Sequence, residues 1–111
     1  MNGYVTVRGT LAANGGGGAV FDGSGSGQNG QASLDPAQGS VPTAGDGSAA
    51  DVLTGTNGAV TAGDVNSAGG GGGGAGRIRI NAASEGATIE AGAVVTPGVT
   101  TECVTVGTLG G

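Results

Sequence analysis

The sequence predicts an all-β fold: a short parallel β-helix or solenoid-like stack that carries a long glycine-rich, low-complexity insert. Three observations predict it. A phrase occurs at both ends, Val5-Thr6-Val7-Arg8-Gly9-Thr10-Leu11 and Val104-Thr105-Val106-Gly107-Thr108-Leu109, with a looser copy at Thr88-Ile89-Glu90-Ala91-Gly92-Ala93-Val94 that has one residue inserted before its glycine. Such self-similarity marks stacked, repeated supersecondary units. Glycine supplies 29 of the 111 residues, and it recurs too often for a helix to propagate. The C-terminal third holds short β-patterns separated by turn residues, as in an all-β stack.

The whole of residues 1–111 reads as one domain or a fragment of a larger one, with an N-terminal β-coil over 4–14, a glycine-rich insert over 15–76 and C-terminal β-segments over 77–109. Tyr4 to Leu11 alternates in the β sense, with Val5 and Val7 on one face and Tyr4, Thr6 and Arg8 on the other. The strand pattern begins almost at Met1, which predicts that further coils precede this stretch. Ala12-Ala13-Asn14 then leads into Gly15-Gly16-Gly17-Gly18, where the backbone is free to turn.

The insert admits two readings. Gly, Ser, Ala, Asn, Gln, Asp and Thr dominate it, as in flexible linkers. The other reading is an ordered excursion of extended or polyproline-II runs, whose glycines permit close chain approach and whose scattered aliphatics dock on a core. Its low charge favours order, while its length favours flexibility.

Regular structure resumes at Arg77-Ile78-Arg79-Ile80-Asn81, with the isoleucines on one face and the arginines exposed on the other. Ser84-Glu85-Gly86 makes a turn, Ala87 to Glu90 and Ala93 to Thr96 follow as strands, Pro97-Gly98 stops them, and Cys103 to Leu109 forms the last strand. The expected shared core is Val5, Val7, Leu11, Ile78, Ile80, Ile89, Val94, Val104, Val106 and Leu109. Cys103 is a lone thiol, read as a small hydrophobe at a strand start or as half of a disulfide with a partner outside this stretch. Nineteen Val, Leu and Ile residues are few for this length, so marginal stability and association through uncovered β-edges are expected.

The run Gly9-Thr10-Leu11-Ala12-Ala13-Asn14-Gly15-Gly16-Gly17-Gly18, followed by Gly69 to Gly74 and Ala75-Gly76-Arg77-Ile78-Arg79-Ile80-Asn81, resembles the glycine-rich repeat regions of large secreted or surface proteins of myxobacteria and related bacteria. The resemblance implies a β-helix-like segment of an exported protein and carries no catalytic residues.

Composition excludes several functions. Arg8, Arg77 and Arg79 are the only cationic side chains against eight acidic residues, so the basic footprint for nucleic acid is missing. No apolar run reaches the length of a membrane span. Without histidine, Ser-His-Asp and Cys-His catalysis cannot be assembled from this chain. The glycine runs lack the Lys and Ser/Thr of a P-loop and the strand-then-helix context of a dinucleotide site. Asp22-Gly23-Ser24-Gly25-Ser26-Gly27 and the pair Asp46 and Asp51 offer only incomplete calcium ligand sets. No catalytic, cofactor or metal residue is therefore assigned.

The expected function is a non-enzymatic structural or adhesive segment of a bacterial surface or secreted protein, working extracellularly or at the cell surface. Its partners would be neighbouring coils, further copies through β-edges, or a surface polysaccharide. Two alternatives remain. One is carbohydrate binding or cleavage on a β-face carrying Arg77, Arg79 and Glu90. The other is ice or surface recognition, for which Thr6, Thr88 and Thr105 would have to stack in one row.

Overall fold

A computed structural model describes residues 3–21, 25–60, 68–83 and 86–108 of the chain. Among these residues every regular element is a strand: β1 (Val5–Val7), β2 (Thr10–Ala12), β3 (Ile78–Ala82), β4 (Ala87–Ile89), β5 (Val94–Thr96) and β6 (Val104–Thr108). They form three two-stranded parallel sheets, β1 with β4, β2 with β5 and β3 with β6. Each strand thus lies beside the one three places later, and the chain crosses two other strands before returning next to itself. Parallel neighbours need such long crossovers because a tight hairpin can only reverse the chain.

The register corrects the expected repeat. Thr6 lies beside Thr88 and Val7 beside Ile89, but Leu11 lies beside Val95 rather than Val94. Two residues, not one, are inserted between the paired strands of the looser copy. The closing copy stacks on neither of the others: Val104, Thr105 and Val106 pair with Ile78, Arg79 and Ile80. Nor is Tyr4 to Leu11 one strand. The chain breaks at Arg8-Gly9, where a side chain on Gly9 would meet no atom within 4 Å, so β1 and β2 enter different sheets.

The core follows the expected parity with two exceptions. Val7, Ile80 and Val104 are buried, Val5, Leu11, Ile78 and Ile89 are partly buried, and Arg77 and Arg79 are exposed. Val95 is buried while Val94 is only half-buried, the consequence of the two-residue insertion. Val106 does not belong to the core, because it is 51% exposed. Strand β3 packs against β1 and β4 as well as β6, whereas β6 has β3 as its principal neighbour. Leu109 lies outside the described residues. Across the β1–β4 pair Arg8 Nε donates to Glu90 Oε1 at 2.9 Å, but both side chains are largely solvated. Glu90→Gln should shift stability by less than about 0.5 kcal/mol in urea melts, as exposed ion pairs do.

Between β2 and β3 the described chain folds back on itself in six extended runs, over 13–20, 25–31, 36–40, 44–49, 53–60 and 68–76. Their backbone hydrogen bonds run between runs. Gly17 N donates to Gln28 O, Gln28 N to Gln38 O, Gly18 N to Gly45 O, Thr56 N to Asp46 O, Gly72 N to Thr56 O and Gly73 N to Gly16 O, all at 2.8–2.9 Å. The bonds arrange the runs in two layers of three, with 13–20 between 25–31 and 68–76, and 44–49 between 36–40 and 53–60. Of the two sequence readings, the described residues follow the ordered one.

Three-residue glycine spacing explains the packing. Gly15 and Gly18, Gly55 and Gly58, and Gly69 and Gly72 each face a neighbouring backbone so closely that a Cβ would overlap it. A polyproline-II-like run has three residues per turn, so a glycine at every third position presents one bare ridge to a neighbour. At Gly58, for example, a side chain would strike the carbonyl of Gly69. An eight-residue run of this kind spans about 25 Å, which accounts for much of the 63 Å long axis of a molecule only 23 Å and 19 Å across.

Candidate functional site

The two ends of the glycine-rich bundle differ in chemistry. At the end joined to the strands, Ala13 N donates to Thr96 O, Gly76 N to Ala13 O, Ala75 N to Leu53 O and Gly98 N to Ala50 O. Asn14 ties this junction together. Its Nδ2 donates to the carbonyls of Gln31 and Ser33, both at 2.8 Å, and its Oδ1 accepts from Thr96 Oγ1 at 2.6 Å. The Thr96 hydroxyl in turn accepts from Ala50 N at 2.9 Å, and Thr96 has no solvent exposure. Ser48, equally buried, accepts from Gly15 N at 3.0 Å. Four chain segments are held here by side-chain hydrogen bonds, as buried polar groups require.

At the opposite end lie Phe21, the Val41-Pro42-Thr43 turn and Val60. Phe21 N donates to Ala68 O at 3.2 Å, Val60 pairs with Ala68 in a β-bridge, and Ala59 N donates to Thr43 O at 2.7 Å, so one small set of backbone contacts gathers all three. Their side chains nevertheless point to water: Phe21 is 79% exposed, Val41 85% and Val60 72%. No charged residue occurs among the described residues 19–21, 25–28, 40–44, 58–60 and 68–71 around them. The large exposed side chains among the described residues of this end are apolar.

The candidates read from sequence fare differently. Glu90 does not join Arg77 and Arg79, because it bonds Arg8 across β1–β4, while Arg79 Nε donates to Asn81 Oδ1 on its own strand at 2.9 Å. The reason is register: Glu90 directly follows β4, whose partner is β1 and not β3. The threonine row is broken, since Thr6 stacks on Thr88 but Thr105 stacks on Arg79. Asp22 lies outside the described residues. Asp46 uses Oδ1 to accept from Gly39 N at 2.8 Å, an internal turn contact, and no group of three or more metal-type ligands occurs among the described residues. Cys103 is a half-buried free thiol whose carbonyl accepts from Ile78 N at 2.9 Å.

Sequence reasoning missed Asn14, Ser48 and Thr96, and it did not single out the exposed end. The legible signal was the three-residue glycine spacing, which implies runs of defined length and hence turns at two opposite ends. Phe21 and Val41 occupy such turns, and Val60 lies beside them in a β-bridge with Ala68. Comparison of the chain with family models, with curated proteins and with solved structures finds no match in any of the three.

Proposed function

We propose that this chain is a non-enzymatic structural and adhesive segment, in which a two-turn, three-faced parallel solenoid roots a glycine-rich bundle and the far end of that bundle makes contact with other surfaces. The observation that carries the reading is the gathering of Phe21, Val41 and Val60, each more than two-thirds exposed, at the end opposite the strands. Isolated apolar residues on a surface are ordinary, but three strongly exposed apolar side chains at one tip, with no charge among the described residues around them, favour an interaction site. The bundle supplies rigidity and reach without a large side-chain core, because its runs are joined by backbone hydrogen bonds. Every strand is also the edge of its sheet, which suits neighbouring rungs of a larger stack or a further copy as partners. An adhesive segment of this kind works outside the cell, and an extracellular or surface location belongs to the reading.

The test is adsorption to alkyl-coated and to hydroxyl-coated beads. The triple variant Phe21→Ser, Val41→Ser, Val60→Ser should lose about tenfold in retention on the alkyl surface, equivalent to roughly 1.4 kcal/mol. Its melting temperature should stay within about 2 °C of the parent, because no buried contact is removed. Equal retention of parent and variant would sink the proposal.

A further inference from the structure

Along the flank of the bundle, away from the apolar tip, the 25–31 run, the 36–40 run and Asp46 enclose an open cleft of about 420 Å³. Its lining is unlike the rest of the molecule. Gln28, Gln31 and Gln38 converge there with Asp35 and Asp46, and the ring of Pro36 forms an apolar part of the wall. In a chain that is about one-quarter glycine, three carboxamides and two carboxylates around one cavity are a local concentration of hydrogen-bonding groups.

Three of these side chains are held rather than loose. Gln28 Oε1 accepts from Gln38 N at 3.0 Å, Gln31 Nε2 donates to Asn29 O at 2.8 Å and Asp46 Oδ1 accepts from Gly39 N at 2.8 Å. Each described bond uses one polar atom of its side chain. The Gln28 Nε2 group is thereby directed as a donor, and Gln31 Oε1 and Asp46 Oδ2 as acceptors. Fixing one atom of each group lowers the entropy lost when the other engages a ligand.

We propose that this cleft binds a neutral saccharide. Sugar hydroxyls both donate and accept, and the cleft offers both kinds of partner, with carboxylates as the stronger acceptors. The Pro36 ring can meet the apolar C–H face of a pyranose. The volume lies near the lower end of small-ligand sites, enough for a short oligosaccharide segment. Charge decides against the alternatives. No cationic side chain lines the cleft, so a phosphate, sulfate or uronate would face Asp35 and Asp46 without compensation. This site is separate from the apolar tip, and its binding does not depend on adhesion there.

Two-dimensional amide NMR of the full chain, titrated with neutral gluco-, manno- and galacto-trisaccharides, tests the assignment, with a trigalacturonate as charged control. At least one neutral trisaccharide should shift the side-chain amide signals of Gln28, Gln31 and Gln38 at concentrations up to about 20 mM, the range of millimolar affinity. Gln31→Ala and, independently, Gln38→Ala should each weaken that binding about fivefold, the effect of one hydrogen bond, with melting unchanged. The trigalacturonate should bind more weakly than the neutral sugar. Silence of the three carboxamides with every sugar, shifts confined to residues outside the cleft, undiminished binding by both variants, or equal binding of the trigalacturonate would each overturn it.

Discussion

Gly18→Val should abolish the ordered bundle. A Cβ at Gly18 overlaps the carbonyl of Gly70 and sits 2.8 Å from the oxygen of Gly71, and both obstacles are backbone. Overpacking against side chains can be relieved by a change of rotamer, but here one run must move away from another. Gly18 N also donates to Gly45 O at 2.8 Å, so the shift would strain a bond to a third run. The expected loss is about 3 kcal/mol or more, at the high end for an overpacked core. Amide exchange measured by mass spectrometry should show the 13–20, 44–49 and 68–76 runs losing protection together. Gly92→Ala is the matched control. A side chain there meets nothing within 4 Å, and stability should change by no more than about 0.5 kcal/mol. Equal tolerance of the two substitutions would refute the close-packed account of the bundle.

The second large effect is expected at the junction, from Thr96→Val. The replacement keeps the shape of the side chain and removes one hydroxyl, leaving Ala50 N and Asn14 Oδ1 without the partner each has now. Both sites are partly or wholly shielded from water, so the cost should be about 1–3 kcal/mol. Ala50 makes the contact more consequential. It is a non-glycine residue at φ 50°, in the left-handed region, and the hydroxyl helps hold it there against a cost of roughly 1–2 kcal/mol. Urea unfolding of Thr96→Val and Thr96→Ser decides the matter: serine should retain most of the stability and valine should not. If valine were as stable as the parent, the hydroxyl bridge would be incidental to the joining of bundle and strands.

Strand parity was readable because alternation is a local property. Ile78 and Ile80 turn inward and Arg77 and Arg79 outward whatever pairs with them. The similarity of Val5-Thr6-Val7 to Val104-Thr105-Val106 misled on stacking, because the two triplets lie in different sheets. Resemblance between β-triplets reports a shared half-buried environment, and every sheet of the molecule offers that environment. Glu90 was misplaced for the same reason: its neighbour depends on which strand pairs with β4, a choice made between residues more than eighty positions apart. The candidate sites were less legible still. Phe21, Val41 and Val60 fall among the scattered apolar residues of the insert, which nothing local distinguishes from one another, and only the two-layer arrangement of the runs brings them to a common exposed end.

The sequence by itself determined that the chain is built from β-structure, that no histidine is available in it for catalysis, and which face of β1 and β3 is apolar. These depend on composition and on periodicities of two or three residues, which neighbouring positions settle among themselves. Tertiary structure alone decided which strands pair, how the insert packs and which groups meet. Asn14 reaches Thr96 across 82 positions, and Gly18 tolerates no side chain because Gly70 lies against it. Glycine leaves the backbone too many conformations for local preference to select one, so in this molecule the selection is made by hydrogen bonds between distant runs.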